Sequence, residues 1–141
     1  MRVLITGDRN WNCRAIADRV MRSLKQRHGK DLVVFVGDAE GVDKAFRTAC
    51  RRLGVRCEEF KADWTIGPGG GPKRNAAMVA RHPDFAIAVH RQIARSKGTR
   101  GCAKLCMDAD VPVYLIDGVN PDRRIGPGDL ERSGTFSRGE S

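Results

Sequence analysis

Leu32-Val33-Val34-Phe35-Val36-Gly37-Asp38-Ala39-Glu40-Gly41-Val42-Asp43 is the stretch that decides the fold. Its first five residues are apolar without alternation, the pattern of a strand covered on both faces. Gly37 ends that strand. From Val42 the pattern becomes Val42, Ala45, Phe46, Ala49 and Leu53, a helical stripe closed by Gly54. A doubly covered strand that turns through glycine into a helix is one unit of an α/β sheet.

The chain repeats that unit on either side. Arg2-Val3-Leu4-Ile5-Thr6 reads as a buried strand ending at Gly7, and a helix with Ile16, Val20 and Leu24 follows, stopped at Gly29. Val55 to Phe60 predicts a third strand. Trp64-Thr65-Ile66-Gly67-Pro68-Gly69-Gly70-Gly71-Pro72 then breaks all regular structure, with Pro72 suited to the first turn of a helix running to about Arg81. Asp84 to Val89 predicts a fourth strand. Ser96-Lys97-Gly98-Thr99 opens a helix bearing Cys102, Ala103, Cys106 and Met107, and Val111 to Ile116 predicts a fifth strand. Strands alternating with helices imply parallel pairing through right-handed crossovers. The expectation is therefore an α/β protein: a three-layer parallel sheet of about five strands with helices on both faces. Residues 1–118 form one domain in this reading, and 119–141, rich in Gly, Pro, Ser and charge, form a flexible tail.

Composition bounds the rest. Lys and Arg number 26 against 17 Asp and Glu, a net charge of +9. From Asn120 onward four Arg offset four acidic residues, so the whole excess falls on the folded part. Anionic partners are favoured, with nucleotides and nucleic acid first. The apolar runs fall far short of the roughly 20 residues needed to cross a membrane, and no secretory leader pattern is present, so a cytoplasmic location without membrane association is expected. Five cysteines without a CxxC pair read as reduced core thiols, with no metal site. No cofactor is implied: GxGxxG and GxxxxGK[ST] are both missing.

In an open parallel sheet ligands bind beyond the carboxyl ends of the strands. The residues there are Gly7-Asp8-Arg9, Gly37-Asp38-Ala39-Glu40-Gly41 with Asp43, Trp64, Arg74-Asn75, and Ser96-Lys97-Gly98-Thr99. Two of these segments run straight into helices, where backbone N–H groups and the helix dipole suit a phosphate. Trp11 and Trp64 are candidates to stack on a base. Gly69-Gly70-Gly71 is a candidate lid. Arg14, Arg22, Arg47, Arg51 and Arg52 read as solvated helix faces.

This ordered set, together with Ala62-Asp63-Trp64 and Lys73-Arg74-Asn75-Ala76-Ala77-Met78, resembles the SLOG superfamily. That Rossmann-like group includes the DprA/Smf proteins and the lonely-guy phosphoribohydrolases, and the branch most similar here is that of small YspA-like bacterial and phage domains. The resemblance covers residues 3–116. It implies a nucleotide or nucleotide-derived ligand at the strand ends, with hydrolysis of its N-glycosidic bond or sensing as the outcome, and assembly as a homo-oligomer. Gly98-Thr99 matches the end of the lonely-guy phosphate loop, while Cys102 stands where those enzymes carry a glutamate. Glycosidic cleavage builds positive charge on ribose, which a carboxylate relieves. Asp43 and Glu40, with Arg74 as a partner for ribose or phosphate, are the catalytic candidates. Single-stranded nucleic-acid binding of the DprA kind is the alternative that the charge supports.

Overall fold

A computed structural model describes residues 1–131. The elements are β1 (Arg2–Gly7), α1 (Arg14–His28), β2 (Val33–Gly37), α2 (Val42–Leu53), β3 (Arg56–Phe60), α3 (Gly70–Val79), β4 (Phe85–Val89), α4 (Gly98–Asp108), β5 (Val113–Ile116) and β6 (Arg123–Ile125). They form one sheet in the order β3-β2-β1-β4-β5-β6. The first five strands are parallel, with Ile5 level with Val36 on one side and Ile87 on the other. β6 is antiparallel to β5, so the sheet is mixed.

Strand alternation separates two cores. Val3, Ile5, Val34, Val36, Ile87 and Val89 face α1 and α2, where Met21, Leu24, Phe46 and Ala49 cover them. Leu4, Phe35, Ala86, Ala88, Val113 and Leu115 face the other way, under Met78 of α3 and Cys102, Ala103 and Cys106 of α4. The expected three-layer α/β architecture is thus present, with two helices on each face.

The structure departs from the sequence reading in two places. The fold does not end at residue 118. Asp117, almost buried, accepts hydrogen bonds from the amides of Val119 and Asn120, from Asn120 Nδ2 and from Arg123 Nη1. That knot turns the chain back into β6, and Ile125 and Leu130 are buried in the second core. The remainder of the expected tail, 132–141, lies outside the described residues. The glycine run is also more regular than its composition suggests. Gly70 and Gly71 form the first turn of α3 and are buried. A Cβ on Gly70 would collide with the Asp63 carbonyl, and one on Gly71 would stand 3.0 Å from the Trp64 ring. Those glycines serve close packing at a helix start, not a lid.

Candidate functional site

β1 sits where the topology changes direction. The crossover through α1 leads to β2 on one side of it, and the return through α3 leads to β4 on the other. Loops after β1 and β4 therefore diverge and leave a crevice, the position at which open α/β sheets bind ligands. Here that crevice holds about 750 Å³, within the size range of small-molecule sites, roughly 300–1,000 Å³.

Its walls bring together residues distant in sequence. Gly7, Asp8 and Arg9 come from the loop after β1, Asp43 from α2, Trp64 from the turn after β3, Arg74 and Asn75 from α3, and Ser96, Lys97, Gly98 and Thr99 from the start of α4. All eleven were named from the sequence.

The start of α4 forms the anion-receptive end. Ser96 Oγ accepts from the Arg100 amide at 2.9 Å, closing the first turn. The amides of Lys97, Gly98 and Thr99 have no acceptor among the described residues. Three free N–H groups at a helix start, beside the Lys97 ammonium, are what a phosphate requires.

Asp43 is the chemically unusual group. It is 5% exposed. Burial pushes its carboxyl up to about 6, opposed by the positive charge of Arg74, by a hydrogen bond from the Ala39 amide and by Arg47. That hydrogen bond spans 3.3 Å. Arg74 is held by Asp38 at 2.9 Å through Nη1 and by Asn75 Oδ1 at 2.8 Å through Nε. Burial thus places a carboxyl with a raised pKa in the wall of a ligand-sized cavity, which suits an acid–base role.

Five sequence-named residues stand outside the crevice, Trp11 and four from the loop after β2. Gly37 lies behind it, with no room for a side chain against Arg74 and Asp43. Asp38 is committed to Arg74 and to the Ala62 amide, so it positions Arg74. Glu40 is exposed and pairs with Lys44 at 3.5 Å, and with Gly41 it lines an outer groove beyond Arg9. Gly41 itself has φ +68° and packs against the backbone of Asp8 and Arg9, where a Cβ would overlap main-chain atoms. The Val42 amide donates to the Asp8 carbonyl at 3.0 Å, stitching the two loops together there.

The structure adds groups that had no assigned role, His90 having been read only as one of the residues that follow the fourth strand. His90, at the end of β4, lines the crevice. The Gln92 amide donates to its Nδ1, so the neutral ring carries its proton on Nε2, 3.9 Å from Asp8 Oδ2. Burial pulls the His90 pKa down, against the pull of Asp8. A histidine in a post-strand loop was the only available signal. Arg47, expected on a solvated face, donates to the carbonyls of Gly37 and Ala39 and so fixes the loop that carries the amide partner of Asp43. Trp11 is not in the crevice: the Arg91 guanidinium covers its ring at 4.4 Å and Gly118 abuts it. Trp64 is more than half exposed at the crevice wall. Cys102 is fully buried beside Cys106, and a hydrogen bond to Cys106 together with burial keeps its thiol neutral, so it takes no part in the crevice.

A mostly parallel α/β sheet with a crevice at its switch point, lined by Arg9, Arg74 and Lys97 beside Asp8 and Asp43, defines a Rossmann-like protein. Comparison with known proteins specifies the family. Residues 1–67 match the family described as YspA, cpYpsA-related SLOG family. The Gene 61 protein of Mycobacterium phage D29 is 34% identical over 118 residues, covering 79% of this chain and 93% of that protein. The chain belongs to this SLOG family, as the ordered motifs led one to expect. Among solved structures, DNA processing protein A (DprA) from Streptococcus pneumoniae shares the fold, with a TM-score of 0.61 at 18% identity over 85% of this chain. The chain spans about half, 51%, of that DprA chain. No helix among the described residues is long and apolar enough to cross a membrane.

Proposed function

We propose that this protein binds a nucleotide or nucleotide-derived small molecule in the crevice and hydrolyses its N-glycosidic bond. The observation that carries this reading is the meeting, in one cavity, of the three unpartnered amides at the start of α4 with a buried carboxyl that titrates near 6. The phosphate sits on the amides of Lys97, Gly98 and Thr99 and on the Lys97 ammonium. The base lies towards Trp64, Pro68, Pro72 and Met78, which supply the apolar part of the lining.

Cleavage breaks the bond between ribose C1′ and the base nitrogen. Ionised Asp43 offsets the positive charge that develops on the sugar, and it accepts the proton of the water that adds to C1′. The proton that Asp43 takes from that water passes to the leaving base nitrogen, so the step balances, while the neutral Nε2–H of His90, at the crevice wall, hydrogen-bonds to the departing base. The products are the free base and ribose 5-phosphate.

The test is a thermal-shift and calorimetric series with nucleoside 5′-monophosphates and the matching nucleosides, followed by chromatography for released base. Monophosphates should stabilise the protein, nucleosides far less, and Lys97→Ala should narrow the difference. Asp43→Asn should abolish base release while binding persists. If no monophosphate binds, the reading fails altogether. Binding with no base release from any of them rejects the hydrolytic half and leaves a nucleotide sensor.

A further inference from the structure

Away from the crevice, α2 packs along the edge strand β3 and brings two cysteines together. The helix runs back against the direction of the strands it joins. Arg47 Nε stands 3.5 Å from Glu59 Oε2, which fixes the level at which helix and strand meet. Cys50 lies three residues further along α2, about 4.5 Å by helix rise. Cys57 lies two residues back along β3, about 6.6 Å by strand rise and on the same face as Glu59. Both displacements point the same way, so the two thiols come level. Cys57 is paired in register with Val34 and faces the α1–α2 core, in which Cys50 is fully buried. Gly54, in the left-handed conformation, turns the chain between them, and the Val55 amide donates to the Cys50 carbonyl at 2.9 Å. A side-chain hydrogen bond joins the two thiols.

The two sulfurs are not equivalent. Cys57 alone among the five cysteines is not buried. The hydrogen bond from Cys50 pulls the Cys57 pKa down, and Arg47 and Arg51 act in the same sense against burial and Glu59. The same hydrogen bond, with burial, pushes Cys50 up. One thiol is therefore reachable and favoured as thiolate, while the other stays protonated behind it.

We infer that Cys57 and Cys50 form a redox-active dithiol, in which a hydroperoxide oxidises Cys57 and Cys50 resolves the product to an intrachain disulfide. The Cys57 thiolate attacks a peroxide oxygen. The O–O bond breaks, and the leaving hydroxide or alkoxide takes up the proton released when the thiol ionised. Cys50 sulfur then displaces the hydroxyl of the Cys57 sulfenic acid. The S–S bond forms, the S–O bond breaks, and the Cys50 proton leaves with the hydroxyl as water. The two thiols lose two electrons and the peroxide gains them. Neither cysteine lines the crevice, so the inference stands apart from the nucleotide reading.

Peptide mapping by mass spectrometry tests it on the full chain. The reduced protein is treated with hydrogen peroxide, unfolded, and alkylated with N-ethylmaleimide. A disulfide between the peptides of Cys50 and Cys57 should appear, with the alkylated thiols falling from five to three and dithiothreitol restoring them. In the folded, reduced protein, limiting maleimide should label Cys57 at least about tenfold faster than any other cysteine. In Cys50→Ala, peroxide should leave Cys57 as a sulfenic acid that dimedone traps. In Cys57→Ser, Cys50 should stay reduced. Cys57 driven to sulfinic acid in the parent while Cys50 remains free overturns the pairing. A disulfide between Cys102 and Cys106 instead, or a Cys57 that resists peroxide at concentrations that oxidise free cysteine, overturns the inference outright.

Discussion

At the scale of single residues, Asp43 costs the fold what it offers to chemistry. Its folded pKa of about 6 lies above the ordinary 3.8. A raised carboxyl stabilises the folded state fully below its unfolded pKa and loses that contribution as pH rises through the folded value. Ionised Asp43 should therefore cost on the order of 3 kcal/mol above pH 7 relative to the protonated form. Asparagine keeps the carbonyl that meets the Ala39 amide and does not titrate. Urea midpoints from pH 4 to 8 should show Asp43→Asn gaining on the parent as pH rises, most steeply between the two pKa values, from about pH 4 to about pH 6. A difference independent of pH would show that Asp43 is not shifted. Gly41 is the backbone counterpart. Its φ of +68° and its contact with the Arg9 main chain make Gly41→Ala destabilising, by about 2 kcal/mol or more. Gly101, in α4, faces open space, so Gly101→Ala should be neutral or stabilise by up to about 1 kcal/mol. Equal losses for the two would mean that the loop crossing at Gly41 has slack.

At the scale of elements, legibility followed the length and uniformity of each apolar pattern. β2 and α2 were readable because five consecutive apolar residues, and then a helical stripe, admit few other structures. β6 was not. Arg123-Arg124-Ile125 has one apolar residue, and its pairing depends on the hydrogen-bond knot around Asp117, which no periodicity announces. Pro72 lies in the first turn of α3 as expected, but the helix begins two residues earlier, at Gly70, because packing against Asp63 and Trp64 overrides the weak helix preference of glycine. The loop positions that line the crevice were legible because the loops at the carboxyl ends of the strands meet at the switch point. Side-chain direction was not: Glu40 and Asp43 stand three residues apart, yet one is exposed and the other buried. The outer strand carries its own prediction. Deleting 119–141 should lower stability markedly, because Leu115 and Val113 lose the cover of Ile125 and Leu130. Leu130→Ala in the full chain should cost roughly 2–4 kcal/mol by urea unfolding. A deletion variant as stable as the full chain would restore residue 118 as the end of the folded part.

At the scale of the whole molecule, the sheet separates rigidity from recognition. β1, β2 and β4 are central, and their inward residues are fully buried on both faces. The carboxyl ends of β1 and β4 carry the crevice, while β3 and β6 close the two edges far from it in strand order. A ligand in the crevice can therefore order loops without repacking either core. Hydrogen exchange resolves the consequence. The amides of Lys97, Gly98 and Thr99 have no acceptor among the described residues, so they should exchange among the fastest in α4 when the protein is free. Saturating nucleoside monophosphate should slow them by about tenfold or more, since a bound phosphate gives them an acceptor. Amides of β3 and β6 should change little beyond the global gain in stability. Uniform slowing over the whole sheet would mean that the ligand stabilises the fold from elsewhere. Protection confined to Arg14, Lys44 and Thr48 would move the anion from the crevice to the outer groove. Slowing centred on 97–99 would tie the phosphate to α4, and with it the position of Asp43 beside the sugar.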